Sequence, residues 1–156
     1  MDDGACDALM LAYAGVKRME YDDMIVKIFP EQQFIPPVGQ GCIGIEAATS
    51  IEESKKEMIR NCLNNRISEN CLLAERAFLK KLEGGCSIPA FGYAIQEGET
   101  ITLSCGLASL DGSRILQESK KESADKAEEL GTLLGERILE NGGKEMLDAI
   151  KKAQGK

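Results

Sequence analysis

At Leu82 the hydrophobic pattern of this chain changes period, and that change constrains the fold more than any other feature. Upstream, Ile67, Cys71, Ala74, Phe78 and Leu82 recur at helical spacing, which predicts a helix beginning near Ser68 with these residues toward a core. Gly84 and Gly85 break it, and Pro89 enforces an extended exit. Downstream the period is two. Phe91, Tyr93 and Ile95 alternate with Gly92, Ala94 and Gln96, Glu97-Gly98-Glu99 supplies a turn, and Ile101, Leu103, Cys105 and Leu107 alternate on a second strand. Asp111-Gly112 is a hairpin signal, and Arg114 to Glu122 reads as a third strand, polar enough for a sheet edge. Ser123 caps a helix whose buried face carries Ala127, Leu130, Leu134 and Ile138. Gly142-Gly143 separates it from a last helix with Met146, Leu147 and Ile150. Helix, three strands and two helices make a self-sufficient α+β layer: a three-stranded antiparallel sheet with helices packed on one face.

The first half is harder to close on itself. Residues 8–14 form a continuous apolar run that predicts a strand buried on both faces, followed by a helical turn at Val16–Met19. A short helix is expected over 22–29, stopped by Pro30. Cys42 to Ala47 reads as another short strand. Ser50-Ile51-Glu52-Glu53 is a capping-box signature for a helix with Met58, Ile59, Cys62 and Leu63 on its apolar stripe. These strands lack partners within the chain, so the chain is expected to be part of something longer. Between them, residues 30–41 are rich in Pro and Gly. They read either as a linker or as a ligand-facing loop, because Val38-Gly39-Gln40-Gly41 presents backbone N–H groups and one amide side chain.

Composition removes several functions. There is no histidine, hence no Ser-His or Cys-His nucleophile pair and no imidazole metal ligand. A formal net charge of -7 argues against a nucleic-acid or anionic-membrane surface. No apolar run approaches the roughly 20 residues of a membrane span, and the opening Met1-Asp2-Asp3 is unlike a secretory signal. The 6 cysteines form no Cys-x-x-Cys, so no metal site is expected, and they suit reduced thiols in a cytoplasmic protein. Glu75 and Arg76 read as a solvated or structural ion pair. Cys86 stays open between a small buried apolar thiol and a reactive one in a loop where glycines permit close approach.

Three blocks resolve that ambiguity. They are Leu11-Ala12-Tyr13-Ala14-Gly15-Val16-Lys17-Arg18, Pro37-Val38-Gly39-Gln40-Gly41-Cys42-Ile43-Gly44-Ile45-Glu46, and Ala74-Glu75-Arg76-Ala77-Phe78-Leu79 running into Leu82-Glu83-Gly84-Gly85-Cys86. With these blocks in this order, nearly the whole chain resembles the C-terminal half of hydroxymethylbilane synthase, also called porphobilinogen deaminase. Such enzymes join four porphobilinogen units head to tail, releasing ammonia, to give the linear tetrapyrrole of haem biosynthesis. The resemblance implies a dipyrromethane cofactor held by a thioether from Cys86. A sulfur nucleophile suits capture of the electrophile that deamination of porphobilinogen yields, although a helix C-terminus disfavours the thiolate. It further implies that Arg18 binds acidic pyrrole side chains, that Ala12 approaches the cofactor from a strand end, and that Gln40 and Gly41 touch the pyrroles. Lys17 is expected to be a solvated neighbour.

The resemblance also implies domain organisation: residues 1–37 as the end of the second α/β lobe, 38–65 as a returning strand and helix of the first lobe, and 66–156 as the cofactor-attachment domain. The family's catalytic aspartate has no counterpart here, nor do most of its carboxylate-binding arginines. The expectation is therefore a fragment inactive alone, partnered by the missing N-terminal half or a second copy, with porphobilinogen and the growing oligopyrrole as ligands of the intact enzyme. A pyrrole-carrier module, an interaction module and one half of a split enzyme are the alternatives.

Overall fold

A computed structural model describes residues 4–83 and 88–155. The chain divides into two units, residues 1–34 and 35–156.

In the first unit the expected strand over 8–14 does not form. Helix α1 spans Tyr13–Arg18, and Ala12, in extended conformation, is its N-cap. Leu9, Met10 and Leu11 are exposed. A strand needs a neighbouring ladder for its N–H and C=O groups, and no strand is found among the described residues of this unit. The helix expected over 22–29 shrinks to one 3-10 turn, Asp22–Met24, with Ile25 already extended. Ile25, Val26 and Ile28 are β-branched and stiff at χ1, which lowers helix propensity. Val26 is 96% exposed.

The second unit begins similarly. Residues 42–47 are not a strand, and Ile43 is 93% exposed. Helix α2 spans Glu53–Leu63, but Glu52 rather than Ser50 is its N-cap, without any side-chain capping bond, so the capping box is not made. Its stripe residues Met58, Cys62 and Leu63 are exposed, and none of its residues is buried.

From Asn65 onward the chain covers itself. The Asn65 side chain accepts the Ser68 N–H at 2.9 Å, so helix α3 (Arg66–Lys81) starts two residues ahead of expectation. Ala74, Phe78 and Leu82 enter the core, whereas Ile67, expected there, is 52% exposed on the first turn. The meander β1 (Ala90–Glu97), β2 (Thr100–Ala108), β3 (Ile115–Ser123) pairs antiparallel in that spatial order. Register places Gly92 opposite Cys105 and Ala94 opposite Leu103. The core face of β1 is thus its small-residue face, because Phe78 of α3 fills the volume above it: a Cβ on Gly92 would lie 3.7 Å from the Phe78 ring. Phe91, on the other face, lies over Gly106.

Helix α4 (Ala127–Ile138) presents Gly131 and Gly135 to α3. A Cβ on Gly131 would sit 2.0 Å from the Ala74 carbonyl oxygen, so the helices cross at backbone contact. Gly142, at φ 98, turns the chain into α5 (Lys144–Ala153), whose Met146, Leu147 and Ile150 close the core. Among the described residues no helix is long and apolar enough to cross a membrane.

Candidate functional site

The Pro-Gly-rich stretch is an ordered double turn fastened to the α+β layer. Gln40 N–H donates to Pro37 O at 3.1 Å and Cys42 N–H to Gly39 O at 3.3 Å. Gly39 and Gly41 hold φ of 73° and 84°, a region that disfavours residues bearing a Cβ. Pro36 O accepts the Gly92 N–H at 3.0 Å, and Val38 packs against the core.

The main fastener is Glu75. It does not pair with Arg76 and is not solvated. It is buried on α3, where one carboxylate oxygen accepts the Gly39 N–H at 2.8 Å and the other accepts the Ala94 N–H at 2.9 Å. One carboxylate therefore ties the turn, α3 and β1 together. Burial pushes its pKa above the ordinary carboxylate value, and the two N–H donors partly offset that shift. The sequence carried a signal for this. Glu75 lies four residues after Cys71 and three before Phe78, so it falls on the buried stripe rather than opposite it.

Beside the clasp lies a shallow cleft of about 200 Å3, lined in part by Gln40, Cys42, Cys71, Glu75 and Tyr93. Gln40 and Gly41 are exposed on the turn. Burial raises the pKa of the Cys71 thiol, the Gln96 backbone partly offsets this, and negative charge at Glu75 and Cys42 raises it further. Cys105, buried under the sheet, is pushed up to about 12 and is chemically inert at neutral pH.

In the first unit, the Ala12 carbonyl accepts N–H bonds from Gly15 and Val16 at 3.0 and 3.2 Å. Arg18 ends α1 and is exposed. Lys17 pairs with Asp22 at 2.6 Å, and among the described residues no carboxylate pairs with Arg18. This leaves the guanidinium available to an acidic ligand.

Cys86 lies outside the described residues, but the described residues on either side of it are anchored. Leu82 is buried, Glu83 takes φ 51 and meets Lys151 at 3.3 Å, and Pro89 O accepts the Ala108 N–H at 3.0 Å. No cluster of three metal-ligating side chains occurs among the described residues.

Two family models match the chain: "Porphobilinogen deaminase, dipyromethane cofactor binding domain" over residues 1–56, and "Porphobilinogen deaminase, C-terminal domain" over residues 69–140. Among similar proteins, the porphobilinogen deaminase of Desulfosudis oleivorans is 53% identical over 99% of this chain and 50% of its own length. That of Cytophaga hutchinsonii is 44% identical over 100% of this chain and 50% of its own length. That of Chlorobium chlorochromatii is 41% identical, over 97% and 49% respectively. The chain spans about half the length of the curated relatives it matches.

Proposed function

This chain belongs to the porphobilinogen deaminase family, and from that premise we propose that it is the C-terminal part of a cytoplasmic hydroxymethylbilane synthase, a transferase that polymerises porphobilinogen with release of ammonia. The observation that carries this reading is coverage: proteins of that name align over nearly all of this chain, yet over only half of themselves.

Within that reading Cys86 holds the dipyrromethane through a thioether. When bound, that group supplies the end to which further pyrroles are added. The described residues suit such a ligand. Pyrroles bearing acetate and propionate groups call for a permanent cation and neutral donors. Arg18 is exposed with no carboxylate partner among the described residues, and Gln40 offers an exposed amide. Nothing lies within 4 Å of where a Cβ on Gly41 would stand, so a ligand can approach its backbone closely, and Ala12 is exposed at the start of α1. The Glu75 clasp holds the Gln40–Gly41 turn against α3, the helix that leads to Cys86.

No carboxylate of this chain takes the place of the family's catalytic aspartate. Chemistry then needs the N-terminal half, supplied by a further polypeptide segment or in trans, and the chain alone is inactive. The test is consumption of porphobilinogen by the purified chain, alone and mixed with the N-terminal half of the Desulfosudis relative. Activity only in the mixture, lost in Cys86→Ser, is the expected result. Turnover by the chain alone refutes the incomplete-site reading. A two-pyrrole adduct on Cys86 with no turnover in the mixture points instead to a carrier module.

A further inference from the structure

Two thiols line the cleft beside the Glu75 clasp, and the pyrrole reading uses neither. Cys42 is exposed at the end of the turn, and Cys71 is half-buried on α3. Two short tethers limit their separation. The Cys42 N–H bond to Gly39 O makes these two residues the ends of one tight turn, with Cα atoms under about 7 Å apart. Gly39 in turn donates to Glu75 at 2.8 Å, and Cys71 lies one helical turn before Glu75 on the same face of α3. Both thiols therefore line one small cleft of about 200 Å3, and a disulfide across it requires their Cα atoms to come within about 7 Å. Charge on Cys42 is also felt at Cys71.

We propose that Cys42 and Cys71 form an oxidation-sensitive pair that closes into a disulfide across this cleft, fastening the 36–42 turn covalently to α3. The oxidant is a hydroperoxide. Cys42, the exposed member, attacks as thiolate, the O–O bond breaks, and a sulfenic acid forms while the hydroperoxide leaves as an alcohol, or as water from hydrogen peroxide. Cys71 sulfur then attacks the sulfenic sulfur, its proton goes to the departing hydroxide, and water leaves. In total the two thiols lose two electrons and two protons, and the peroxide is reduced. The asymmetry of the pair fits these roles, because the exposed thiol meets oxidant and the sheltered one resolves it. Closure would hold Gln40 and Gly41 against α3, so oxidation would restrict the turn that the family reading assigns to the pyrroles. The pairing itself does not depend on that reading.

The test uses the reduced full chain and hydrogen peroxide, followed by alkylation of remaining thiols and peptide mass spectrometry. The expected product is a cross-linked peptide pair holding Cys42 and Cys71, released by dithiothreitol and formed equally in Cys86→Ser. In Cys71→Ser, dimedone labels Cys42 as sulfenic acid, and Cys42→Ser gives no cross-link at Cys71. Hydrogen exchange at residues 39–42 slows in the oxidised chain. Cys42 and Cys71 both recovered as alkylated thiols while Cys62 oxidises would overturn the proposal, as would preferential pairing of Cys42 with Cys6, Cys62 or Cys86. Cys42 is exposed, so Cys42→Ser keeps the circular dichroism of the parent and its result cannot be laid to unfolding.

Discussion

Residues 66–155 and residues 4–63 contain comparable apolar runs and treat them in opposite ways. In the C-terminal layer, Phe78, Ile101, Leu103, Leu107, Leu130 and Leu134 all lose their solvent contact, because each helical or period-two stripe meets a complementary one within the same ninety residues. In the N-terminal part, Leu9, Val26, Ile28, Ile43 and Met58 keep theirs. The lesson is that apolar periodicity specifies what a segment wants, not whether the chain provides it. The expected strands, without a ladder, do not form, and α2, a stripe without a facing stripe, forms but buries none of its residues.

The contrast can be broken most severely at Phe78. Phe78→Ala should lower the unfolding free energy of the C-terminal layer by about 3–5 kcal/mol, since it empties the site between α3 and the sheet. Urea unfolding followed by circular dichroism measures it, while hydrogen exchange over residues 4–34 should stay unchanged. Gly131→Ala comes next, at about 1–3 kcal/mol or more, because the added methyl meets the Ala74 carbonyl oxygen and the α3–α4 crossing must widen. A wild-type unfolding midpoint would mean the helices do not touch at backbone distance.

Glu75→Ala sharpens the comparison at the boundary of the two behaviours. It leaves the Gly39 and Ala94 N–H groups without their acceptor, at about 1–3 kcal/mol, and faster amide exchange at Gly39 is the specific readout. The pH dependence has a definite sign. Glu75 has a folded-state pKa above its ordinary value of 4.5, so the folded chain binds the extra proton between those two pKa values. Its contribution to stability is therefore largest below about pH 4.5 and declines as pH rises toward the folded pKa. Glu75→Gln should flatten that part of the stability–pH curve. The smallest effect belongs to the uncovered region: Ile43→Ser should change the unfolding midpoint of the C-terminal layer by no more than about 0.5 kcal/mol equivalent. A large loss there would show that residues 42–47 are covered after all.

Much of the layer was legible. The helix ending at Leu82, the meander with turns at Gly98 and Gly112, and the break at Gly142 all follow from periodicity and turn chemistry. Less legible was the inward face of β1. Phe91, Tyr93 and Ile95 carry the larger side chains, yet Gly92 and Ala94 face the core because Phe78 needs their space. The Gly131–Gly135 crossing had a spacing signal, two glycines four residues apart on one helical face, but its partner on α3 was invisible. Ile67 was misplaced because a stripe's first turn extends beyond what the sheet covers. Of the expected site residues, Gln40 and Gly41 stand on the fastened turn, Ala12 and Arg18 bracket α1, and Cys86 lies outside the described residues.

By itself, then, the order of residues determined the element types of the C-terminal layer and the family signature, because periods of 3.6 and 2, glycine turns and a specific run of side chains are local properties. Only the tertiary structure decided that Glu75 is a buried clasp rather than a surface ion pair. Only it decided that the small face of β1 points inward and that Leu9, Val26, Ile28, Ile43 and Met58 stay uncovered. Burial, hydrogen-bond partnership and shared volume are properties of pairs of distant segments, and a single segment carries no record of what will stand opposite it.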